Sequence, residues 1–178
     1  MPEQLTHKTT PLSKNTCSIV LVCDGVTSPA NIGGLFRLSD ALGIQHIFFC
    51  GNKIDITSSR VKRTSRHTHT VISHSDGLNV VDTLQNLKTK GYTALVLELT
   101  NKSKPLQDAI ILDNKPLALI IGNEKEGVSK RVLEEINSHV HIDMLGNNSS
   151  MNVTQATAIA VYTLSKKIKE YELGMSRV

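Results

Sequence analysis

The chain has 178 residues, with 20 Lys+Arg against 16 Asp+Glu, a formal charge of +4 and 39% hydrophobic residues. That is enough chain for one hydrophobic core without disulfide or metal staples. The mild basicity fits a phosphate-bearing partner but does not prove one. Aromatics are only 3%, with no Trp, which argues against a protein that stacks single-stranded bases on exposed rings.

Residues 1–16 read as a polar tail ahead of a single domain over 17–178. The tail lacks the apolar stretch of a signal peptide. No apolar run approaches the roughly 18 residues needed to span a bilayer, so no membrane partner is expected. With three cysteines, none in a C-x-x-C pair, the chain reads as a reduced, cytoplasmic protein. There is no internal repeat. Ile19 to Asp24 is β-branched-rich and closed by Gly25, which predicts a buried strand. Asn31 to Leu42 predicts a helix stopped by Gly43. His46 to Cys50 and Thr70 to Ser73 predict two further strands. Leu78 to Lys90 predicts a helix capped by Asp76. Tyr92 to Leu99 and the wholly apolar Leu117 to Gly122 predict strands, the latter covered on both faces. Ser129 to Ser138 predicts a helix opened by a capping serine. Val140 to Met144 predicts a last strand. Asn152 to Tyr171 predicts a long C-terminal helix, with Asn152 and Gln155 at capping-box spacing.

About six strands alternating with helices predict an α/β domain with a mainly parallel sheet and helices on both faces. Function in such sheets gathers in the loops after the carboxyl ends of the strands. Those loops are 25–34, 51–66, 100–105 and 122–129, joined by the stretch 143–152.

Several chemistries fail there. Gly122 to Ser129 has the glycine spacing of a phosphate-binding loop, but Val128 stands where its lysine must be. Cys23 and Cys50 lie inside apolar strands and are expected to be structural. His67 with His69, and His139 with His141, lack a third ligand, so no metal is expected.

Three polar constellations remain. The first is Asn31-Ile-Gly33-Gly34-Leu-Phe-Arg37. Glycines in a first helical turn cost about 1 kcal/mol each relative to Ala, so something is expected to pack close to that backbone. Arg37 lies six residues after Asn31, close to two turns, and is expected on the same side. The second is Gly122-Asn-Glu124 after a hydrophobic strand, with a carboxylate beside a glycine. The third is Met144-Leu-Gly146-Asn-Asn-Ser-Ser150-Met151-Asn152, small polar residues ahead of an alanine-rich helix whose free N–H groups suit a polar ligand. Taken singly, each also reads as a capped helix or a solvated loop.

In this order the three segments resemble the signature of the SpoU/TrmH branch of the SPOUT methyltransferases, which modify RNA at the ribose 2′-hydroxyl. The pattern N-x-G-x-x-x-R falls on Asn31, Gly33 and Arg37. G-x-E-x-x-G falls on Gly122, Glu124 and Gly127. M-x-G-x-x-x-S-L-N falls on Met144, Gly146, Ser150, Met151 and Asn152, with Met151 replacing the usual Leu, a change that keeps volume. The resemblance covers residues 18–172. Glu124 to Ser129 and Glu98 to Ser103 look more like the tRNA guanosine branch, so tRNA is favoured over rRNA as the RNA partner.

The resemblance implies a trefoil knot near the C-terminus, a homodimer with a shared active site, and S-adenosylmethionine as cofactor. It places cofactor contacts at Leu99, Gly122, Ile142, Met144 and Met151, where a side chain on Gly122 is expected to meet the ligand. It places the catalytic set at Arg37, Asn31, Glu124, Ser150 and Asn152. Because Arg stays protonated, a forked clamp on phosphate with charge stabilisation of the alkoxide suits Arg37 better than a literal base. The stretch Lys53 to His69 carries Arg60, Lys62, Arg63 and Arg66 against one acid, Asp55, and is expected to touch RNA phosphates. Ala156, Ala160 and Thr163 form a small-residue stripe expected to allow close helix approach, within the chain or across a two-fold axis. The competing readings are an RNA-binding module without catalysis on the same fold and a flavodoxin-like mononucleotide binder, which Pro29 and bulky Leu35-Phe36 disfavour.

Overall fold

The computed structural model describes Thr10 and residues 17–110 and 115–175; apart from Thr10 and Cys17, the expected polar tail and its junction lie outside them. Seven strands form one sheet in which every pairing is parallel. They are β1 (Ile19–Asp24), β2 (His46–Cys50), β3 (Ser73–Leu78), β4 (Thr93–Leu97), β5 (Lys104–Pro105), β6 (Leu117–Gly122) and β7 (His139–His141). The helices are α1 (Pro29–Leu42), α2 (Ser59–Ser65), α3 (Val80–Thr89), α4 (Lys130–Glu135) and α5 (Val153–Met175).

Period-two alternation divides the core. Ile19, Leu21 and Cys23 of β1 and Leu119 and Ile121 of β6 pack with Leu35 and Phe36 of α1 and Val161 and Leu164 of α5. Val20 and Val22, with Ala118 and Ile120, face the other way, toward Leu84 and Leu87 of α3 and Val132 of α4. Both faces of the central strands are therefore buried, which is why they read as unbroken apolar runs.

The order across the sheet is β3-β2-β1-β6-β4-β7-β5. Strand β7 lies between β4 and β5, although the chain joins those two directly through residues 98–103. Leu97 and Lys104 both pair with Val140. The connection therefore leaves one side of β7 and returns on the other at the same level, as an arch.

The two glycines of the first constellation are explained by helix packing. A Cβ on Gly33 would strike the Thr64 hydroxyl and lie 2.7 Å from the Val61 carbonyl oxygen, both on α2. A Cβ on Gly34 would lie 3.0 Å from Thr154 Cγ2 at the start of α5. Close neighbours are present as expected, and they are two helices.

Several boundaries differ from the sequence expectation. Residues 51–66, expected as a loop, contain α2, which buries Val61 and Ser65. The third strand starts at Ser73 rather than Thr70; Thr68–Thr70 is a single 3-10 turn and Val71 is exposed. Its residues are polar, and pairing begins where the His46 ring meets the hydroxyls of Ser73 at 2.9 Å and Ser75 at 3.1 Å. Asn79, not Asp76, caps α3, accepting from Val81 and Asp82 N–H; Asp76 instead accepts from Ile54 N–H. Ser129 sits at the cap of α4, but its side chain makes no capping bond. Helix α4 ends at Glu135, short of Ser138, and β7 spans His139–His141 rather than 140–144. Of the stripe on α5, Ala160 is fully buried in the chain's own core and Ala156 and Thr163 are half-buried, while Ile159 and Tyr162 beside them are exposed.

Gly33→Ala should therefore destabilise by about 1–3 kcal/mol through overpacking against α2. Gly34→Ala, whose neighbour is a methyl rather than backbone, should cost less. Thermal unfolding midpoints of the two variants check the ranking; equal midpoints would contradict it.

Candidate active site

The carboxyl ends of β6, β4 and β7 open into a cleft of about 740 Å³. Its walls are the loops after those strands and the segment leading into α5. Leu97, Ile121, Ile142, Val153 and Ala156 supply apolar surface; Asn31, Glu124, Ser150 and Asn152 stand among the polar lining.

Asn123 shapes the loop 122–128. Its Oδ1 accepts from Lys125 and Glu126 N–H, its Nδ2 donates to the Gly25 carbonyl at 2.6 Å, and its backbone pairs with Gly127. From the opposite wall, Glu98 accepts from Leu99 N–H at 2.9 Å and Val128 N–H at 3.1 Å. A Cβ on Gly127 would lie 2.7 Å from that carboxylate, and a Cβ on Gly122 would strike the Gly127–Val128 peptide. The expectation that a side chain on Gly122 would meet a ligand is corrected: it would meet the loop's own backbone first. Asn123 and Glu98 hold the cleft walls without a spacing signature of their own. Only their places beside Gly122 and at a strand end hinted at a role.

Glu124 joins three distant segments. Its Oε1 accepts from Ser28 N–H at 3.0 Å and Asn31 Nδ2 at 2.8 Å, and its Oε2 accepts from Thr27 N–H at 3.4 Å. Asn31 Oδ1 in turn accepts from Asn152 Nδ2 at 3.0 Å. Asn152 Oδ1 caps α5 through Thr154 N–H at 2.9 Å, with Gln155 N–H at 3.4 Å. Partial burial pushes the Glu124 carboxyl up. The Asn31 amide and the N–H groups of Glu124 itself, Ser28 and Thr27 outweigh that and hold it below its usual value of 4.5. Glu124 therefore stays ionised near neutrality, with its lone pairs largely committed to the protein.

Leu99, Gly122, Ile142, Met144, Ser150 and Met151 all line this cleft, as do Asn31, Glu124 and Asn152. Arg37 does not. It is exposed on α1 while Asn31 is buried. Six residues turn a helix by roughly 600°, about 120° short of two full turns, so the expected common side is corrected. Arg60, Lys62 and Arg63 stand exposed on α2, and Arg66 closes it in a left-handed conformation at φ 48°. Among these histidines, His69 bonds Ser65, His139 bonds Thr100, and His141 bonds Ser103, with its Nε2 3.3 Å from Asp143 Oδ1. Cys23 and Cys50 are buried, and burial pushes Cys50 up to about 11, so neither supplies a thiolate nucleophile.

Because the folded Glu124 carboxyl titrates below the unfolded one, its bonds stabilise the fold fully above about pH 4.5. That stability is lost as the pH falls through the lowered value. Glu124→Gln should flatten this acid-side loss. Denaturant unfolding between pH 3 and 6 checks it; an unchanged slope would contradict the assignment.

Residues 18–162 match the SpoU rRNA methylase family. The chain is 30% identical over 151 residues to the 23S rRNA (guanosine(2553)-2'-O)-methyltransferase RlmP of Bacillus subtilis, covering 84% of this chain and 58% of that protein. It is 27% identical to the 23S rRNA (guanosine-2'-O-)-methyltransferase RlmB of Blochmanniella floridana, covering 90% of this chain and 61% of that protein. The chain thus spans about three fifths of the length of the curated relatives it matches. The crystal structure of the A. aeolicus TrmH/SpoU tRNA modifying enzyme superposes with a TM-score of 0.77 at 25% identity, over 89% of this chain and 79% of that one. The parallel sheet, the cleft at its carboxyl edge and the match over 18–162 agree: the chain belongs to the SpoU methylase family.

Proposed function

We propose that this chain transfers a methyl group from S-adenosylmethionine to a ribose 2′-hydroxyl of structured RNA, with tRNA the favoured substrate. The observation that carries the reading is the hydrogen-bonded meeting of Glu124, Asn31 and Asn152, one from each of the three motifs, in a single cleft. The cleft has the size of small-molecule sites. Its apolar residues suit an adenine ring, and its loop backbones suit a polar tail. Leu99, Gly122, Ile142, Met144 and Met151 are the residues that would hold the cofactor, and when bound its sulfonium supplies an already electrophilic methyl.

What the protein adds is alignment and charge. Glu124, ionised and occupied by N–H donors, is a positioning group rather than a proton donor. It orients Asn31, and Asn31 orients Asn152 at the head of α5. Ser150 is exposed on the cleft lining, where its hydroxyl is free to meet a ribose. Arg37 lies outside its own chain's cleft, which supports a homodimer in which it serves the cleft of the second copy. There its fork would clamp a phosphate beside the developing alkoxide. Exposed Ile159 and Tyr162 on α5 support a helical two-fold contact. The position of β7 beneath the 98–103 arch supports a knotted C-terminal path, against the general rule that chains are unknotted.

Arg60, Lys62, Arg63 and Arg66 would contact RNA phosphates beyond the cleft. The low aromatic content supports recognition of folded RNA by backbone and shape. A second reading, rRNA as substrate, is favoured by the 30% identity to a relative named for 23S rRNA.

Incubation with labelled S-adenosylmethionine and bulk tRNA or rRNA, followed by mapping, tests these readings. Label in tRNA ribose is the expected result, and label in rRNA supports the second reading. RNA binding without any label would leave a binding module on this fold. Arg37→Lys, keeping charge but losing the fork, should slow single-turnover transfer by about 10²-fold or more while cofactor affinity stays the same. A wild-type rate would refute the clamp. Replacing Arg60, Lys62 and Arg63 together by Ala should weaken RNA binding and lower its salt slope by about two to three; unchanged affinity would reduce the patch to a solvated face.

A further inference from the structure

The cleft opens where two neighbouring strands part. Strands β4 and β6 pair from Thr93 with Leu117 to Val96 with Ile120, and no further. Past that point β4 turns to its other neighbour, and Leu97 pairs with Val140 of β7. Strand β6 stays with β1 as far as Gly122, opposite Asp24. Two adjacent strands that stop pairing leave a wedge between them. Its walls are the segments 98–103 and 122–128.

Glu98 spans that wedge two residues past the last pair. Its Oε1 accepts from Leu99 N–H on its own wall, and its Oε2 accepts from Val128 N–H on the facing wall. Among the described residues, no other hydrogen bond joins 98–103 to 122–128. Glu98, Leu99 and Val128 all line the cleft. The separation of the two walls is therefore set by one carboxylate, across its own two oxygens.

Gly127 admits that carboxylate. Its φ is +69°, in the left-handed region that side chains disfavour, and a Cβ there would lie 2.7 Å from Glu98 Oε2. Conformation and close approach thus both keep position 127 a glycine, and the second reason comes from a residue outside its own loop. The next N–H in the chain is held from the other side. Ser129 N–H donates to Asp24 Oδ2 at 2.8 Å. Asp24 ends β1, across β6 from Glu98, and lines a separate cavity of about 440 Å³ with Asn79 and Arg131. Successive N–H groups of the loop are held by carboxylates on opposite sides, and only the Glu98 bond crosses the cleft.

We propose that Glu98 is a positioning residue for the cofactor: its carboxylate, seated against Gly127, fixes the spacing of the cleft walls and so sets the affinity for S-adenosylmethionine. This rests on the reading of the cleft as an S-adenosylmethionine site. Both oxygens are needed. Glutamine keeps the length but has one acceptor oxygen, so it gives up either Leu99 or Val128 and turns an N–H donor toward the one it loses.

Calorimetry on the full chain tests this by measuring the dissociation constant of S-adenosylmethionine, with thermal unfolding midpoints alongside. The proteins are the wild type, Glu98→Ala, Glu98→Gln, Gly127→Ala, the double variant of Glu98→Ala with Gly127→Ala, and Asp24→Ala. Glu98→Ala should bind about ten- to a hundredfold more weakly, as loss of a hydrogen bond to a charged group implies. Glu98→Gln, which keeps one bond and the side-chain volume, should recover part of that loss. Gly127→Ala should resemble Glu98→Ala, because its Cβ displaces Oε2. In the double variant that space is vacant, so the loss should match the larger single loss and not the product of the two. Asp24→Ala removes a carboxylate from the same loop and should lower the unfolding midpoint comparably, while affinity stays within about twofold. In methyl transfer to RNA, Glu98→Gln should raise the KM for S-adenosylmethionine and leave kcat within about twofold, because Glu98 acts through the walls rather than on a reacting atom.

Unchanged affinity in both Glu98 variants, multiplied losses in the double variant, or a fall confined to kcat would overturn the proposal. So would a loss in Asp24→Ala equal to that in Glu98→Ala, which would make Glu98 one of several groups that merely hold the loop. If Glu98→Ala did not fold, Glu98→Gln and Gly127→Ala would decide. If the wild-type chain bound no S-adenosylmethionine, the cofactor reading would fall and the positioning role with it. Normal wild-type binding with unchanged Glu98 variants would leave that reading standing and remove the role of Glu98 alone.

Discussion

The cleft depends on one ionised carboxylate. Glu124 sits at the end of β6, yet its partners Thr27, Ser28 and Asn31 lie more than ninety positions earlier, and Asn152 is reached through Asn31. A charged acceptor taking N–H donors forms stronger bonds than a neutral one, and here they tie the head of α1 to the loop after β6. Asn31 spends its N–H on Glu124 and its oxygen on Asn152, so the two amides are oriented by what they bond. Asn152 then caps α5. The relay fixes three loops at once.

Around that relay the sheet supplies a rigid floor. All seven strands run parallel, so every following loop emerges at one edge. The central strands β1 and β6 are buried on both faces and leave no slack beneath the site. Gly33 and Gly34 let α1 approach α2 and α5 closely enough to keep Asn31 in place. Asn123 and Glu98 then brace the two walls, each accepting from two backbone N–H groups. The molecule spends these polar side chains on loop geometry, and Leu97, Ile121 and Ile142 leave apolar surface on the cleft lining.

The motifs and the core strands were legible in the sequence because their signals are local. Ile19 to Asp24 and Leu117 to Gly122 carry apolar runs bounded by glycine, and Asn31, Glu124 and Asn152 stand at recognisable spacings. Strand β3 is not legible because Ser-His-Ser-Asp-Gly-Leu has no apolar pattern; its pairing with β2 is supported by His46 bonding two of its hydroxyls. Helix α2 was missed because only Val61 and Ser65 of its seven residues are buried, too few to mark a face. Asn79 caps α3 because β3 runs through Asp76 to Leu78 and the helix begins only at Val80.

Composition, periodicity and spacing thus determined a parallel α/β sheet and the loops at its carboxyl edge in which the three polar segments lie. They did so because each depends on residues within a few positions of one another. Tertiary structure alone decided that Gly122 guards its own loop rather than a ligand, that Arg37 faces away from its own cleft, and that β7 runs beneath an arch pinned by His139 and His141. Those outcomes depend on which segments meet across the sheet, and pairings between residues so far apart in the chain leave no periodic trace in it.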